Sequence, residues 1–234
     1  MESLATAVVD AIRGGDVQRL EALLRSNPEL ATARIDGQRT PLHIATDYPG
    51  HFPNGAAIVA TLVEHGADVN AHFIGKHTET PLHWAASCDD VLVLDALLDH
   101  GADIEAAGSV IGGGAPLSDA VAFAQWNAAR RLVERGARTT LWQAAALGLM
   151  DRVKECFRPE TRPGSEALTN AFWCACHGGR PVVARYLLIE GADLNWVGHD
   201  GLTPLDAAVR SGAEGVVLWL RSLGAKSAKA VNSP

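Results

Sequence analysis

Five side chains capable of acid–base chemistry lie close together in the sequence: Asp47, His51, His72, His77 and Glu79. Histidines and carboxylates of this kind serve in proton transfer and in metal binding. Their separation is the obstacle, because His51 and His77 lie at opposite ends of a predicted short helix that spans roughly 13 Å, at about 1.5 Å per residue. They meet only if the segment around His51 folds back as a lid. Catalysis therefore stays an alternative, and no catalytic residue is assigned.

Two further motifs resemble sites for a metal or a phosphate. The sequence Cys174-x-Cys176-His177 suggests zinc, but residues two apart on a helix point to different faces, and zinc needs about four convergent ligands. We expect both cysteines to be buried small side chains. The glycine-rich stretch 108–114 lacks the Gly-Lys-Ser/Thr ending of a phosphate loop and is interpreted as a flexible turn. No metal and no cofactor is expected.

Composition narrows the class of protein. The 234 residues are 47% hydrophobic and 20% charged, which is typical of a folded soluble chain. The net charge of −7 and the absence of clustered Lys and Arg argue against nucleic acid as a partner. Membrane association is not expected either, since no apolar run approaches the roughly 18–20 residues that span a bilayer. The start at Met1 has no basic region typical of a signal peptide, and the four cysteines lack a disulfide spacing, so we expect a cytoplasmic protein.

One phrase recurs along the chain. The sequence Thr-Pro-Leu-His-Ile-Ala at 40–45 returns at 80–85, in degraded form at 115–120, and again at 203–208. A glycine follows the last alanine of the phrase by 16 residues in four cases, namely Ala85 to Gly101, Ala120 to Gly136, Ala175 to Gly191 and Ala208 to Gly224. This pattern resembles the ankyrin repeat family, with its Thr-Pro-Leu-His-x-Ala signature and 33-residue period. The chain is similar to the ankyrin-repeat proteins common in bacteria.

The residue types fit that resemblance. Thr40 and Thr80 are suited to N-cap a helix, and the proline after each costs nothing, because that N–H has no partner in the helix. Apolar residues recur at helical spacing in the second half of each unit, and glycines such as Gly101 are suited to end that helix in a left-handed conformation. The signature histidines His43 and His83 are expected to be structural, and Trp84 and Trp219 are expected to lie in the core.

The predicted fold is all-α, an ankyrin-repeat solenoid of about seven helix–turn–helix repeats with β-hairpin fingers between them. It is expected to form a single domain over 1–225, followed by a polar tail at 226–234. The predicted units lie near 4–27, 40–66, 80–101, 115–136, 139–158, 170–191 and 203–224.

Sites are expected where the chain departs from the repeat. The second repeat carries five extra residues, since Ala45 and Gly66 are 21 apart instead of 16, and they fall in a Pro- and Gly-rich loop at 48–55. The fingers at 72–79 and 106–114 are long, and 158–169 is predicted to be an irregular connection. Trp126 is expected to begin a second helix. Trp142 and Trp173 are placed at the signature histidine position, either as groove surface or as packing between repeats.

The resemblance implies a concave groove lined by fingers and inner helices. The candidate binding residues there are Asp47, Tyr48, His51, Phe52, His72, His77, Glu79, Phe123, Trp126, Trp142, Trp173, His177 and His199. We interpret the chain as a monomeric binding module for a protein or peptide partner. The alternative is a small-molecule binder or enzyme with a site between the second and fifth repeats, covered by the 48–55 loop. An enclosed pocket of roughly 300–1,000 Å³ would favour the alternative.

Overall fold

The computed structural model describes residues 3–231, and its chain divides into two compact units, Met1–Arg138 and Thr139–Pro234. Residues 1, 2 and 232–234, which belong to the predicted domain and tail, lie outside the described part. The helices of the first unit are α1 (Leu4–Gly14), α2 (Val17–Ser26), α3 (Pro41–Ala45), α4 (Gly55–Glu64), α5 (Pro81–Ser87), α6 (Val91–Asp99), α7 (Pro116–Ala122) and α8 (Trp126–Glu134). Those of the second are α9 (Leu141–Leu147), α10 (Met150–Glu155), α11 (Ser165–His177), α12 (Pro181–Ile189), α13 (Pro204–Arg210), α14 (Glu214–Ser222) and α15 (Ala228–Val231).

Consecutive helices pack in pairs from α1 and α2 to α13 and α14. The all-α prediction is confirmed, and short 3₁₀ turns at Pro28–Ala31 and His199–Gly201 complete the regular structure of the described residues. The stretch 158–169 is helical from Ser165 onward, so the prediction of an irregular connection is wrong for its last part. The extent of a single domain over 1–225 stays a prediction.

The helix starts follow from capping. Thr40 N-caps α3 and exchanges hydrogen bonds with His43, three residues later. Thr140 makes the same capping box with Gln143 at the start of α9. Gln143 therefore occupies the signature histidine position of the fifth repeat, and the prediction that placed Trp142 there is wrong by one residue. Capping of this kind typically stabilises a helix by about 1 kcal/mol.

Each unit is built on fully buried aliphatic or aromatic side chains. Leu42, Leu82 and Leu117, from the signature phrase of three successive repeats, are at most 1% exposed. In the second unit Phe172 is fully buried, and Trp219 is half-buried and packs against the same core, so its prediction as a core residue holds only in part. Burying one such side chain contributes about 1.5–3 kcal/mol, so the leucine of each phrase is a substantial part of the core of its repeat.

The fingers are hairpin-shaped turns without strands among the described residues. An isolated antiparallel bridge joins Ile35 to Arg39 in the first finger. In the long fingers the amide of Phe73 donates to the carbonyl oxygen of Glu79 (2.8 Å), and that of Ser109 donates to Gly114 (3.0 Å). These bonds fix both fingers beside the N-termini of α5 and α7, and both fingers contribute walls to the candidate site.

Candidate functional site

An open cavity of about 280 Å³ lies in the first unit. Its walls come from the segment after α3, the two long fingers, the end of α5 and the residue after α7, so the second, third and fourth repeats all contribute. The lining residues are Thr46, Asp47, Tyr48, Glu79, Trp84, Ser87, Cys88, Val110 and Phe123. The volume lies just below the usual range for small-molecule pockets.

The cavity contains part of the predicted set. Asp47, Tyr48, Glu79 and Phe123 line it. The other first-unit candidates, which are His51, Phe52, His72, His77 and Trp126, are not among its lining residues. Trp126 begins α8 as predicted, and the imidazole of His72 is hydrogen-bonded to Thr78 of its own finger. The remaining candidates belong to the second unit.

Trp84 was expected in the core, and that prediction is wrong. Its ring is half-buried, lines the cavity, and packs against Phe73 with ring centroids 5.5 Å apart. The equivalent positions in the neighbouring repeats hold Ile44 and Asp119, both fully buried. Tryptophan is too large for the same space, so its ring extends into the cavity. The signal available in the sequence was this difference in size at one position of the repeat.

The two carboxylates of the cavity differ in their surroundings. Asp47 accepts hydrogen bonds from Arg39 (2.8 Å) and from Arg13 (3.2 Å), so its charge is compensated within the protein. Burial raises the pKa of Glu79, while a hydrogen bond from Trp84 and the charge of nearby His77 act in the opposite direction. Among residues 3–231 no lysine or arginine forms an ion pair with Glu79.

A second acid lies behind this wall. Asp119 of α7 is fully buried, and its Oδ1 accepts a 2.6 Å hydrogen bond from the Ser109 hydroxyl. Its Oδ2 has no hydrogen-bond partner within the described part of the chain. Burial, assisted by the charge of Glu79, raises the pKa of Asp119 to about 7 against the lowering effect of the Ser109 bond. Because Val110 follows Ser109 directly, this buried bond positions the finger residue that lines the cavity.

The Cys88 thiol and the Ser87 hydroxyl of the cavity are not activated. Burial, together with the nearby charges of Asp90 and Asp47, raises the pKa of the Cys88 thiol to about 11. The thiol is therefore protonated at neutral pH and is a poor nucleophile. The hydroxyl of Ser87 donates to the carbonyl oxygen of His83 in the same helix. In residues 3–231 no three His, Cys, Asp or Glu side chains are grouped to hold a metal.

The signature histidines are structural, as predicted. The Nδ1 atom of His43 accepts from the amide of Thr40, which leaves Nε2 protonated to donate to the Glu79 carbonyl oxygen at 3.1 Å. His83 repeats this arrangement toward Gly114 at 3.2 Å. Burial is the main cause that lowers the pKa of each histidine to about 4. Both are neutral at physiological pH, and both hold a finger that borders the cavity.

The inserted loop at 48–55 is hydrogen-bonded to the repeats on both sides of it, and we call it a clamp for this reason. The amide of His51 donates to Asp90 (2.7 Å) and its Nε2 lies 3.0 Å from the carbonyl oxygen of Cys88, in the turn of the third repeat. The amide group of Asn54 donates to the Gly15 carbonyl oxygen, in the turn of the first repeat. No hydrogen bond or ion pair in the described structure joins His51 to His77. Tyr48 is the one residue of this loop that lines the cavity.

Two of the four second-unit candidates are buried. Trp173 is 5% exposed, and its Nε1 donates to the carbonyl oxygen of Leu202 at 2.9 Å, an arrangement that favours packing at this residue. His177 is also buried, with Nδ1 2.9 Å from the Ser211 hydroxyl. His199 is exposed and lies 3.0 Å from the side-chain oxygen of Asn170. Trp142 is half-buried.

The two cysteines of the Cys-x-Cys-His motif are buried, as predicted. Cys174 is 5% exposed and Cys176 is fully buried. Burial raises the pKa of the Cys174 thiol to about 12 and that of Cys176 still further. Protonated thiols in these positions act as small apolar side chains of the second core.

Comparison with known proteins identifies the class. The family model described as "Ankyrin repeats (3 copies)" matches residues 141–230, and the model described as "Ankyrin repeat" matches 37–72 and 77–109. Together these matches cover more than half of the chain, which therefore belongs to the ankyrin repeat family. None of the helices in residues 3–231 is long and apolar enough to cross a membrane.

Two proteins illustrate the relationship. Protein fem-1 homolog A of Danio rerio is 38% identical over 100 residues, a match that covers 38% of this chain and 15% of that relative. The chain thus corresponds to a small part of the length of this relative. The crystal structure of the human ASB11 ankyrin repeat domain superposes with a TM-score of 0.56 at 22% identity, covering 91% of this chain and 96% of that one. This second likeness concerns the fold alone. The bacterial type stays a prediction.

Proposed function

We propose that the first unit binds a protein or peptide partner and that the cavity receives one large side chain of that partner. Ankyrin repeats generally mediate protein–protein interaction, and repeat stacks present extended concave surfaces for it. In this chain three consecutive repeats contribute walls to one cavity, so a partner seated there would contact all three.

The observation that carries the proposal is the exposure of two aromatic rings beside that cavity. Tyr48 is 84% exposed and Phe123 is 46% exposed, although both line it. Neither is used in the core, so folding does not require an aromatic residue at either position. Aromatic side chains that a partner buries at the centre of an interface are among the residues that most often dominate the energy of protein–protein binding.

The volume favours an anchoring side chain over a whole small molecule. Small-molecule sites usually enclose about 300–1,000 Å³ and bury most of the ligand. This cavity has about 280 Å³ and is open, and the loop expected to cover it is held at the turns of the first and third repeats. A partner that closes the open side with its own backbone suits this shape better.

A displayed library of random peptides, selected against the full chain, tests the proposal. Affinities of the selected peptides are then measured by fluorescence anisotropy. We expect Phe123→Ala and Tyr48→Ala to weaken binding by at least tenfold, since an aromatic anchor commonly contributes about 2 kcal/mol, or about thirtyfold.

Leu92→Ala and Val182→Ala are matched controls, because these side chains are 76% and 69% exposed and lie outside the cavity. Both controls should bind normally, and all four variants should retain the wild-type melting temperature. Peptides that bind the Phe123 and Tyr48 variants as tightly as the wild type would overturn the proposal.

A further inference from the structure

We infer that the side chain held by the cavity is a lysine of the partner, with its ammonium group at Glu79 and its aliphatic stem against the aromatic rings. The inference rests on the proposed function and adds the chemistry of the anchor. It follows from two properties of the wall: which aromatic residues line the cavity and which carboxylates have no lysine or arginine paired to them.

Three aromatic side chains contribute to one small cavity. Tyr48 comes from the inserted loop, Trp84 from α5, and Phe123 from the end of α7. The faces of such rings carry negative charge, and a cation within about 6 Å of a ring is attracted by it, most strongly for tryptophan. A lysine stem of four methylene groups also buries apolar area against the same rings.

The charges of the cavity select a cation. The negative charge of Asp47 is compensated by Arg13 and Arg39. Glu79 is half-buried, and the fully buried Asp119 is close enough for its titration to be affected by the Glu79 charge. Two nearby carboxyl groups with no lysine or arginine paired to them in the described chain favour a cation supplied from outside.

An apolar anchor would be less favourable at this place. It would remove the remaining water from the Glu79 carboxylate without replacing the lost hydrogen bonds, and such burial costs free energy. Lysine suits the site better than arginine. Trp84 already interacts with the Glu79 carboxylate and acts to lower its pKa, which leaves less of the carboxylate for the bidentate geometry of a guanidinium, whereas the compact charge of an ammonium group does not require that geometry.

The test uses two small probes that differ in one group. Nα-acetyl-lysine methylamide carries the ammonium group, and Nα-acetyl-norleucine methylamide has a similar aliphatic stem without it. Each is titrated into the full chain, and the indole N–H resonance of Trp84 is followed by NMR. We expect the lysine probe to bind at least fivefold more tightly, and its affinity to fall as salt is added, because screening weakens the attraction.

Two variants separate charge from shape. Glu79→Gln keeps the size of the side chain and should bring the lysine probe to the affinity of the norleucine probe. Phe123→Leu keeps an apolar wall and should weaken the lysine probe alone, by about threefold, since it removes one cation–π contact at an exposed site. Glu64→Gln, on the exposed end of α4, is the matched control and should change neither affinity.

Equal binding of the two probes to the wild type, or an unchanged preference for lysine in Glu79→Gln, would overturn the inference. That failure differs from a failure of the proposed function. If library peptides depend on Phe123 but carry leucine or phenylalanine in place of lysine, the groove function stands and the lysine anchor is wrong.

Discussion

The Nε1 atom of Trp173 donates a 2.9 Å hydrogen bond to the carbonyl oxygen of Leu202, the residue before the N-cap of α13. His43 makes the equivalent bond to Glu79, the residue before the N-cap of α5. Tryptophan has a donor and no acceptor, yet a donor is all that this position uses between repeats. The aromatic substitution at Trp173 therefore keeps the hydrogen bond between repeats that the signature histidine makes elsewhere.

Replacing Trp173 by phenylalanine removes the donor and leaves the Leu202 carbonyl oxygen without this partner. We expect Trp173→Phe to lower the free energy of unfolding by about 1–3 kcal/mol, from the lost hydrogen bond and the smaller ring. Urea denaturation measures it. Trp142→Phe is the matched control, because Trp142 is half-buried and no hydrogen bond of its indole is seen in the described structure. A larger loss at Trp142 would contradict the assignment.

The buried acid Asp119 makes stability depend on pH. In the unfolded chain its pKa is near the ordinary value of 3.8, whereas burial raises it to about 7 in the folded protein. Between these two pKa values the folded state therefore binds more protons than the unfolded state. The contribution of Asp119 to the free energy of unfolding is complete below about pH 4 and is lost as the pH rises through 7. At about 1.4 kcal/mol per pKa unit, the loss is at most about 4 kcal/mol.

Asp119→Asn isolates this contribution, since the amide oxygen is still able to accept from Ser109 and does not ionise in this range. The free energy of unfolding of the wild type minus that of Asp119→Asn should fall between pH 4 and pH 7 and stay level above. The subtraction matters because His43 and His83, whose pKa values are lowered to about 4, lose stabilisation as the pH falls below 6.5. A constant difference across this range would show that Asp119 is ionised in the folded protein.

The 106–114 finger approaches the 72–79 finger so closely at Gly108 that a side chain does not fit. A Cβ atom there would lie 2.3 Å from the carbonyl oxygen of Thr78, and φ is +138°. Gly112, in the same finger, has φ of +63° and open space around it. Both substitutions place a side chain at positive φ, which alone costs about 1 kcal/mol. Gly108→Ala adds the close contact with Thr78, so we expect it to lower the free energy of unfolding by at least about 2 kcal/mol more than Gly112→Ala in thermal denaturation.

The same substitution should also disturb the cavity, because Gly108 precedes Ser109 and Val110. The peptides selected in the library should bind Gly108→Ala more weakly than Gly112→Ala at a temperature where both are folded. Equal stability of the two variants would mean that the finger is free to move away from Thr78.

Cys88 provides a chemical probe of the cavity. Because the pKa of its thiol is raised to about 11, little thiolate is present at pH 8, and alkylation by iodoacetamide should be at least tenfold slower than that of a cysteine in an unfolded peptide. Mass spectrometry of tryptic fragments measures the rate. A bound library peptide should slow alkylation further, whereas Cys156, which is not in the cavity wall, should react at an unchanged rate. Rapid alkylation of Cys88 would contradict the described environment.

The repeat architecture could be predicted because its determinants are local. An N-cap such as Thr40 and a terminating glycine such as Gly101 act within a few residues, so their spacing indicates the helices directly. The site was only partly predictable. Position in the repeat identified Tyr48 and Phe123, but it placed Trp84 in the core. The repeat pattern predicts the backbone position of a residue, and it does not predict whether a large ring fits in the space available there.

The remaining errors concern contacts between distant residues. The bond from His51 to Asp90 spans 39 positions, and the sequence offers no signal that the loop docks on a neighbouring turn instead of closing over the groove. The pairing of Ser109 with Asp119 likewise needs the finger to fold back on α7. Both depend on how repeats stack, which the pattern within one repeat does not encode.

The clamp formed by the 48–55 loop has a mechanical consequence. In a stack held by nearest-neighbour contacts alone, a pulling force on one end detaches repeats one at a time. Here the loop of the second repeat is bonded to Gly15 of the first and to Cys88 and Asp90 of the third. A force applied at the N-terminus therefore loads three repeats through one segment, and they should come away in a single cooperative step, longer than the steps that follow.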